Sequence, residues 1–217
     1  MFSTLQLINF FNKPEEVINK AESATYYKSK DGQWPGVRSE SLHIIYPELH
    51  NKIMSAVFAN YYSYGEKIDF RHARSYFHKI KPYSDKSVNK GWIHKDNCIL
   101  AGLVYLNETF ELNTGTGMYI PNQDIDYKDS IDQKINLYLN GEYDELSYQK
   151  TMIDMENQFT KVGEFQNIYN SFICYYGDNF HRIESFGSQE RLTLVFFIDQ
   201  ISANGVPVER VKKALSQ

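Results

Sequence analysis

The run CILAGLVYLNE, residues 98–108, places the strongest constraint on how this chain can fold. Its apolar residues occupy both alternating faces of an extended segment, whereas a strand with one solvated face alternates apolar and polar residues. A strand with two apolar faces has to be covered on both sides. We therefore predict a central strand with a barrel interior on one side and the N-terminal helices on the other.

Several other short runs are rich in residues that favour strands, and turn residues separate most of them: IDFRHARSYFHKI, GMYIP, NSFICYYGD and RLTLVFFID. The chain also has 17 Tyr and 14 Phe, which fit well in sheets. The pattern predicts a mainly β protein with flanking helices, built on a sandwich or barrel.

Helix signals stand at both ends of the chain and in one inner segment. Asn12, with Pro14 in the first turn and Glu15 three residues on, predicts a first helix start, and Pro47 opens a second helix. The segment between them, YYKSKDGQWPGVRSE, reads as a loop. A third stripe at helical spacing predicts packing rather than a binding surface: Tyr148, Met152, Met155 and Phe159.

No composition break divides the 217 residues, so we predict one domain spanning residues 1–217. Residues 1–66 are expected to form helical and loop support, and residues 67–121 and 163–200 the β core. Residues 122–162 are expected to be an insertion with one helix, and residues 201–217 a closing helix.

The net charge of −4 gives no general electrostatic case for binding nucleic acid or membranes. A locally basic segment precedes residue 96, and it fits a solvated loop better than a site that attracts anions: Lys79, Lys81, Lys86, Lys90 and Lys95. Cys98 and Cys174 lie in apolar runs and are expected to be unpaired thiols. MFSTLQLINFF lacks the features of a secretion signal, so we expect a cytoplasmic protein.

The stretch GWIHKDN places His94 and Asp96 two residues apart, which puts both side chains on one face if the backbone is extended. Such a pair is weakly specific, because short patterns occur by chance and a histidine often hydrogen-bonds near a strand end. His181 adds a second, distant histidine. Two histidines and one carboxylate form the facial triad that binds Fe(II) in non-haem oxygenases and leaves three positions open.

Arg191 follows His181 by ten residues and begins the apolar run RLTLVFFID. An arginine can bind a carboxylate through two charge-assisted hydrogen bonds, and Thr193 adds a hydroxyl on the same strand face. Taken alone, Arg191 fits a surface arginine better than a site residue. Its order after the two histidines favours a role in binding an anionic cosubstrate.

These segments resemble the double-stranded β-helix (jelly-roll, cupin-like) oxygenases that depend on Fe(II) and 2-oxoglutarate, in the branch that includes prolyl hydroxylases. HKDN with LAGLVYLNE is similar to that branch's His-x-Asp segment and next strand, GTGMYIP to its glycine-rich turn, and FHRI and RLTLVFFI to its last two site strands. NFFNKPEEV, WPGVRSE and FGSQERLTLVFFI look most similar to an uncharacterised domain family of bacterial and phage proteins.

The resemblance implies His94, Asp96 and His181 as iron ligands and Arg191 as the partner of the 2-oxoglutarate carboxylate, with Tyr105 and Thr193 as weaker assignments at the same group. It further implies that O2 is consumed and that an unidentified substrate is hydroxylated, with release of succinate and CO2. Halogenation is disfavoured, because it generally requires the triad carboxylate to be absent.

The residues around the expected site leave several points open. Trp34, Arg38 and Trp92 are candidates for the entrance, although Arg38 equally suits a structural tie between the N-terminal loop and the barrel. The histidines without matched partners are treated as ordinary: His43, His50, His72 and His78. The substrate is a small molecule or a protein, and the acidic charge counts modestly against nucleic acid.

Two alternatives differ in class from an oxygenase. One is a cupin-like module that binds a metal or a sugar without oxygenase activity. The other is a structural or interaction protein, for example of a phage, with a degenerate site; the protein would then work in the host cytoplasm.

Overall fold

The computed structural model describes residues 4–62, 69–84, 88–122 and 131–202. The strands in these ranges are β1 (Thr4–Leu7), β2 (Tyr26–Lys28), β3 (Val37–Ser39), β4 (Asp69–Ile80), β5 (Leu100–Tyr105), β6 (Thr116–Pro121), β7 (Phe159–Phe165), β8 (Phe172–Tyr176), β9 (Phe180–Ile183) and β10 (Arg191–Ser202). The helices are α1 (Pro14–Ser23), α2 (Leu42–Ile45), α3 (Pro47–Tyr61), α4 (Ile131–Ile135) and α5 (Glu145–Asn157). A π-helical turn, Asn136–Asn140, follows α4.

Two antiparallel sheets form the core. The larger has seven strands in the order β1-β8-β5-β10-β4-β3-β2, and the smaller has three in the order β7-β6-β9. In the larger sheet β5 lies between β8 and β10, with Gly102 opposite Cys174 on one side and Phe196 on the other. The mainly β architecture with flanking helices is therefore confirmed.

Both faces of β5 are covered, as its two apolar faces predict. Leu100 and Val104 belong to the cluster that includes Ile53 and Val57 of α3. On the opposite face, Leu103 packs between the two sheets in a second cluster, whose other members include Ala101, Tyr105, Met118, Ile173, Tyr175 and Val195. All six residues of β5 are buried.

The first helix begins at Pro14, as the run PEEVINKAESA predicts, but its cap differs from the predicted one. The structure places Lys13 at the N-cap without a side-chain cap hydrogen bond, so the predicted cap at Asn12 is wrong. Pro14 still occupies the first turn, where its missing N–H costs no hydrogen bond, and Glu15 and Glu16 lie near the positive end of the helix dipole. The second predicted helix start, at Pro47, is confirmed.

The segment predicted as a loop contains two short edge strands, β2 and β3, which extend the large sheet beyond β4. Gly36 allows the turn into β3, because its φ of 71° suits glycine and a Cβ there would lie 2.1 Å from the Lys79 carbonyl oxygen. These strands are too short and too polar to show the alternation of apolar and polar residues that identifies a strand in a sequence. Pairing with β4 is what makes them strands.

The predicted insertion also differs in detail. It holds α4 with its π-helical turn as well as α5, and β7 begins inside it. The prediction that Phe159 continues the helical stripe is wrong, because α5 ends at Asn157 and Phe159 is the first residue of β7. The packing role is confirmed, since the four stripe residues share one buried cluster with Trp92: Tyr148, Met152, Met155 and Phe159.

Other predictions concern the thiols, the closing helix and membranes. Cys174 is buried, Cys98 is half-buried, and neither forms a disulfide.

β10 extends to Ser202, and the rest of the predicted helix at 201–217 lies outside the described residues. Within the described ranges, no helix combines the length and apolar character that crossing a bilayer requires.

Gly102 of β5 has no room for a side chain, which leads to a stability prediction. A Cβ at Gly102 would lie 2.1 Å from the Ile173 carbonyl oxygen and 2.6 Å from the Phe196 ring. Because the backbone oxygen cannot move without breaking sheet pairing, Gly102→Ala is expected to lower the free energy of unfolding by about 1–3 kcal/mol, the usual cost of overpacking. Chemical denaturation measures the change.

Gly163→Ala is the matched control, because a Cβ there would meet nothing within 4 Å. Its free energy of unfolding is expected to stay within about 0.5 kcal/mol of wild type, as for most surface substitutions. Equal effects of the two substitutions would contradict the assignment of β5 as the tightly packed central strand.

Candidate metal and cosubstrate site

His94 and His181 are joined by a pair of backbone hydrogen bonds. The His94 N–H donates to the His181 carbonyl at 3.0 Å, and the His181 N–H donates to the His94 carbonyl at 2.9 Å. The contact continues on both sides, where Gly91 N–H donates to Ile183 and Asp96 N–H donates to Gly177. Residues 91–96 therefore lie along β9 as an irregular neighbouring strand.

This pairing brings the three predicted metal ligands together. The Asp96 carboxylate lies 3.8 Å from His94 Nε2 and 3.3 Å from His181 Nε2, measured from its two different oxygens. One ligand atom from each residue lies within 4.8 Å of the others, so the group could hold a metal ion. His181 is buried, whereas His94 and Asp96 are partly exposed.

Backbone carbonyls fix the tautomers of both histidines. His94 Nδ1 lies 2.8 Å from the Trp92 carbonyl oxygen, and His181 Nδ1 lies 2.9 Å from that of Asn179. Because a carbonyl only accepts, each Nδ1 carries the hydrogen. Each Nε2 in the neutral ring then keeps a lone pair on the side of Asp96. This is the arrangement that orients histidines in metal sites, so the donor set fits a divalent cation.

The charges around the group favour its metal-binding protonation states. Burial, with the charge of the neighbouring His181 as a second cause, lowers the pKa of His94 to about 4. Burial acts to raise the pKa of the Asp96 carboxyl, but the charge and hydrogen bond of His181 outweigh it and hold the pKa at about 2. An ionised carboxylate and a neutral imidazole are therefore available near neutral pH, as metal coordination requires.

The Asp96 charge acts in the other direction on His181. Burial opposes protonation of this ring, but the charge of Asp96 and its hydrogen bond raise the pKa of His181 above its ordinary value. A proton therefore competes with a cation for His181 more than for His94.

Arg191, the predicted partner of the cosubstrate, is buried at the start of β10. Its Nη1 donates to the Thr114 carbonyl oxygen, and its guanidinium carbon lies 5.2 Å from the centre of the Tyr105 ring. Its Nη2 is buried and has no hydrogen-bond partner among the described residues. A buried donor left unsatisfied is costly, so Nη2 is suited to receive an anionic oxygen.

Tyr105 and Thr193 are opposite each other on β5 and β10. The Tyr105 hydroxyl lies 2.8 Å from Thr116 Oγ1 and donates to the Phe165 carbonyl at 3.3 Å. Thr193 is buried beside it. The register continues across the sheet, because Thr193 is opposite His78 and His78 is opposite Arg38. Four polar residues thus form one row on the inner face of the sheet.

Two cavities open beside the metal group. The inner one, of about 110 Å³, is lined by His94, Asp96 and His181. The outer one, of about 640 Å³, is lined by His94 and Asp96 and by residues of the β2–β3 turn. Arg191, Tyr105 and Thr193 line neither cavity, although their neighbours Thr116 and His78 line the inner one.

The three candidate entrance residues occupy different positions. Trp34 and Arg38 line both cavities. Trp92 is buried and lines only the inner cavity, where its ring lies 5.5 Å from that of Tyr148. Trp92 therefore ties the metal segment to α5, and its carbonyl orients His94.

The sequence analysis treated His78 as ordinary, whereas the structure places it inside the cavity wall. Burial, with the nearby charge of Arg38 as a second cause, lowers the pKa of His78 well below its ordinary value. The neutral ring donates through Nε2 to the Pro35 carbonyl at 2.7 Å and contacts the Trp34 ring edge-to-face at 5.7 Å. Alternate residues of this strand, Arg74, Tyr76 and His78, share one face, which is visible in the sequence. Only the pairing of the strands shows that this face lines the cavity.

A second group that sequence reasoning missed is the ion-pair network behind His181. Arg182 Nη1 donates to Glu156 at 2.6 Å, and its Nη2 lies 3.4 Å from Glu184. Lys90 also binds Glu156, at 2.7 Å. The network connects α5, the segment before His94 and β9, so it braces both strands that carry the histidines.

The lysine-rich segment is largely ion-paired, and Lys79 lies on β4 rather than in the predicted solvated loop. Lys79 pairs with Glu22 at 2.8 Å, and Lys90 pairs with Glu156. Lys95 lies 4.0 Å from Asp178. Lys81 is exposed, and Lys86 lies outside the described residues.

Comparison with solved structures finds the same fold in iron and 2-oxoglutarate enzymes. An oxidoreductase of the 2OG-Fe(II) oxygenase family from Burkholderia pseudomallei is 12% identical, with a TM-score of 0.53 over 94% of this chain and 86% of that one. HygX from Streptomyces hygroscopicus, solved with nickel, 2-oxoglutarate and hygromycin B, is 11% identical, with a TM-score of 0.55 over 92% and 84%. SnoN, a non-haem α-ketoglutarate-dependent epimerase from nogalamycin biosynthesis, is 10% identical, with a TM-score of 0.51 over 94% and 82%.

These similarities confirm the double-stranded β-helix core, and at such low identity they show the fold alone. The prolyl-hydroxylase branch stays a prediction, and no comparison supports a phage origin. No curated protein matches the chain in sequence. A family profile does match residues 4–185, which is most of the chain, and the protein therefore belongs to the family of unknown function DUF6445.

Proposed function

We propose that this protein is an Fe(II)- and 2-oxoglutarate-dependent oxygenase that hydroxylates a substrate and releases succinate and CO2. The observation that carries the proposal is the His94, Asp96 and His181 group, in which both Nε2 atoms lie within 4 Å of one carboxylate. The shared fold with 2-oxoglutarate oxygenases supports it.

The three side chains would hold the metal through two imidazole nitrogens and one carboxylate oxygen. Such a set leaves coordination positions free for a cosubstrate and O2. When bound, the iron with 2-oxoglutarate and O2 supplies the oxidising power for a C–H bond, coupled to loss of CO2 from the cosubstrate. The chain itself contributes ligands of fixed orientation and a partly enclosed cavity.

Arg191 would bind the far carboxylate of 2-oxoglutarate through its unpartnered Nη2. The site is buried, which strengthens a charge-assisted hydrogen bond. Tyr105 and Thr193 would add hydroxyl groups from the same row, and their present neighbours Thr116 and His78 line the cavity. Hydroxylation is the preferred outcome over halogenation because Asp96 supplies the carboxylate ligand.

One observation favours the second candidate, a metal-binding module of the same fold without oxygenase activity. Arg191, Tyr105 and Thr193 do not line either cavity, so access of a cosubstrate to Arg191 is not open in this structure. The two candidates share the metal site and differ in whether 2-oxoglutarate binds. Experiments on the metal and on Arg191 therefore separate them.

The metal site is tested by single ligand substitutions. His94→Ala and Asp96→Ala are each expected to weaken binding of Fe(II) under anaerobic conditions by at least about 100-fold, since even the groups behind metal ligands contribute roughly 10- to 100-fold. Calorimetry with Fe(II), or with Mn(II) as a stable substitute, measures the affinity.

His43→Ala is the control, because His43 is exposed and its ring Nδ1 lies 2.7 Å from the neighbouring Ser41 Oγ, away from the metal group. Its metal affinity is expected to equal that of wild type. Unchanged affinity in Asp96→Ala would show that the cation binds elsewhere.

The cosubstrate site is tested by Arg191→Gln in the Mn(II)-loaded protein. Loss of the charged Nη2 donor is expected to weaken 2-oxoglutarate binding by about 10- to 100-fold, from roughly 1.5–3 kcal/mol for one charged hydrogen bond. Tyr105→Phe is expected to cost less, about fivefold, because a neutral donor contributes roughly 1 kcal/mol. Calorimetry measures both affinities, and thermal unfolding verifies that each variant is folded.

Lys13→Gln removes one positive charge from an exposed ion pair with Glu16 at the start of α1 and is expected to leave 2-oxoglutarate affinity unchanged. Wild-type affinity in Arg191→Gln, or no 2-oxoglutarate binding by wild type, would favour the metal-binding module.

Turnover is tested by succinate release with Fe(II), 2-oxoglutarate and O2. Wild type is expected to release succinate slowly without substrate and faster with an active member of a substrate panel. His94→Ala and Asp96→Ala are expected to lower the rate to that of a protein-free control, and His43→Ala is expected to retain it. Equal succinate release in wild type and Asp96→Ala would exclude the oxygenase chemistry.

A further inference from the structure

Arg38 is a second arginine that faces the metal group without an acidic partner. It lies on β3 and lines both cavities, in company with His94 and Asp96. Among the described residues, no carboxylate comes within 4 Å of its guanidinium, and its Nε is buried without a hydrogen-bond partner. The other arginines near the cavities differ, since Arg74 is paired with Asp199 and Arg182 with Glu156.

Aromatic rings hold the Arg38 guanidinium in place instead. Its central carbon lies 4.5 Å from the Trp34 ring centre, 5.2 Å from that of Phe197 and 5.9 Å from that of Tyr76. Such cation–π contacts orient the fork, and its Nε is left without a hydrogen-bond partner among the described residues. His78 supports the arrangement, because it is opposite Arg38 in the sheet and binds the Pro35 carbonyl beside Trp34.

The charge of the outer cavity agrees with an anionic ligand. Among the described residues that line it, four are basic (Arg38, Arg74, Lys95 and Lys134) and two are acidic (Asp31 and Asp96). Asp96 belongs to the metal group, so its charge is offset when a cation is bound. Asp199 pairs with Arg74 and Asp178 lies 4.0 Å from Lys95, so these two cations are largely offset. Arg38 keeps a charge that no salt bridge among the described residues offsets, and an unpaired cation in a cavity concentrates anions.

We infer that Arg38 recognises a carboxylate or phosphate group of the substrate, which makes the substrate an anionic small molecule. The inference rests on the proposed function, because it assigns Arg191 to the cosubstrate and leaves Arg38 for the molecule that is oxidised. A planar guanidinium binds either anion through two hydrogen bonds. A cavity of about 640 Å³ has the size of an ordinary small-molecule site.

The test titrates the protein with inorganic phosphate in one arm and acetate in the other, at constant ionic strength. Tryptophan fluorescence reports binding, since Trp34 is in contact with Arg38. Each arm is run on the metal-free protein and on the protein loaded with Mn(II) and 2-oxoglutarate. Wild type is expected to show saturable binding of at least one anion under both conditions, and the arm that saturates identifies the group.

Arg38→Gln is expected to weaken the binding of that anion at least tenfold, whereas the affinity for 2-oxoglutarate is expected to stay within twofold of wild type. Lys13→Gln, the charge-matched control outside the cavities, is expected to bind the anion as wild type does. Arg38→Lys keeps the positive charge but lacks the planar guanidinium, so it is expected to weaken binding of the anion at least threefold. This variant replaces Arg38→Gln in the comparison with wild type if Arg38→Gln does not fold.

Three results would overturn the inference. They are the absence of saturable binding of both anions by wild type, unchanged anion binding by Arg38→Gln, and an equal loss of 2-oxoglutarate affinity in Arg38→Gln, which would assign Arg38 to the cosubstrate. Failure of the proposed function has a different signature. Wild type would then bind the anion in the metal-free arm but would not bind 2-oxoglutarate with Mn(II).

Discussion

The two backbone hydrogen bonds between His94 and His181 are the contact on which the rest of the site depends. They join residues that are 87 positions apart in the chain, and they bring their rings to 4.4 Å between centroids. Asp96 reaches the same point because its own N–H is held by the Gly177 carbonyl. Side-chain geometry at the site is thus set by main-chain pairing, which side-chain substitutions leave largely intact. The Arg182 network supports this pairing from behind.

The β5 strand supplies the rigid frame beside this contact. It is hydrogen-bonded on both edges and covered on both faces, so it anchors the large sheet between α3 and the interior. Its inner face begins the polar row that runs through Thr193 and His78 to Arg38. One sheet therefore presents a tyrosine and an arginine at opposite ends of one row, and Arg191 lies two residues along β10 from Thr193.

Sequence reasoning reached the fold and the metal group because both leave local or repeated signals. The two apolar faces of residues 98–108 predict a buried central strand, and the order of His94, Asp96, His181 and Arg191 predicts a metal site beside an anion site. The predictions from sequence are wrong where pairing between strands decides the secondary structure. Helical spacing predicts Phe159 in a helix, but that helix ends before Phe159. The polar segment with β2 and β3 has the composition of a loop, and pairing with β4 makes it two strands. His78 gives no sequence signal, because the groups that it contacts, the Pro35 carbonyl and the Trp34 ring, lie in a turn more than 40 positions away.

The sequence by itself determined the central strand, the two N-terminal helices and the residue types of the candidate site, because hydrophobic periodicity and short motifs are local properties of the chain. Tertiary structure decided which of these residues meet. It placed both histidine Nε2 atoms beside Asp96, left Arg191 Nη2 without a partner, and put Arg38 among aromatic rings at the cavity. These outcomes depend on strand register and on contacts between residues far apart in the chain, and no local pattern encodes them.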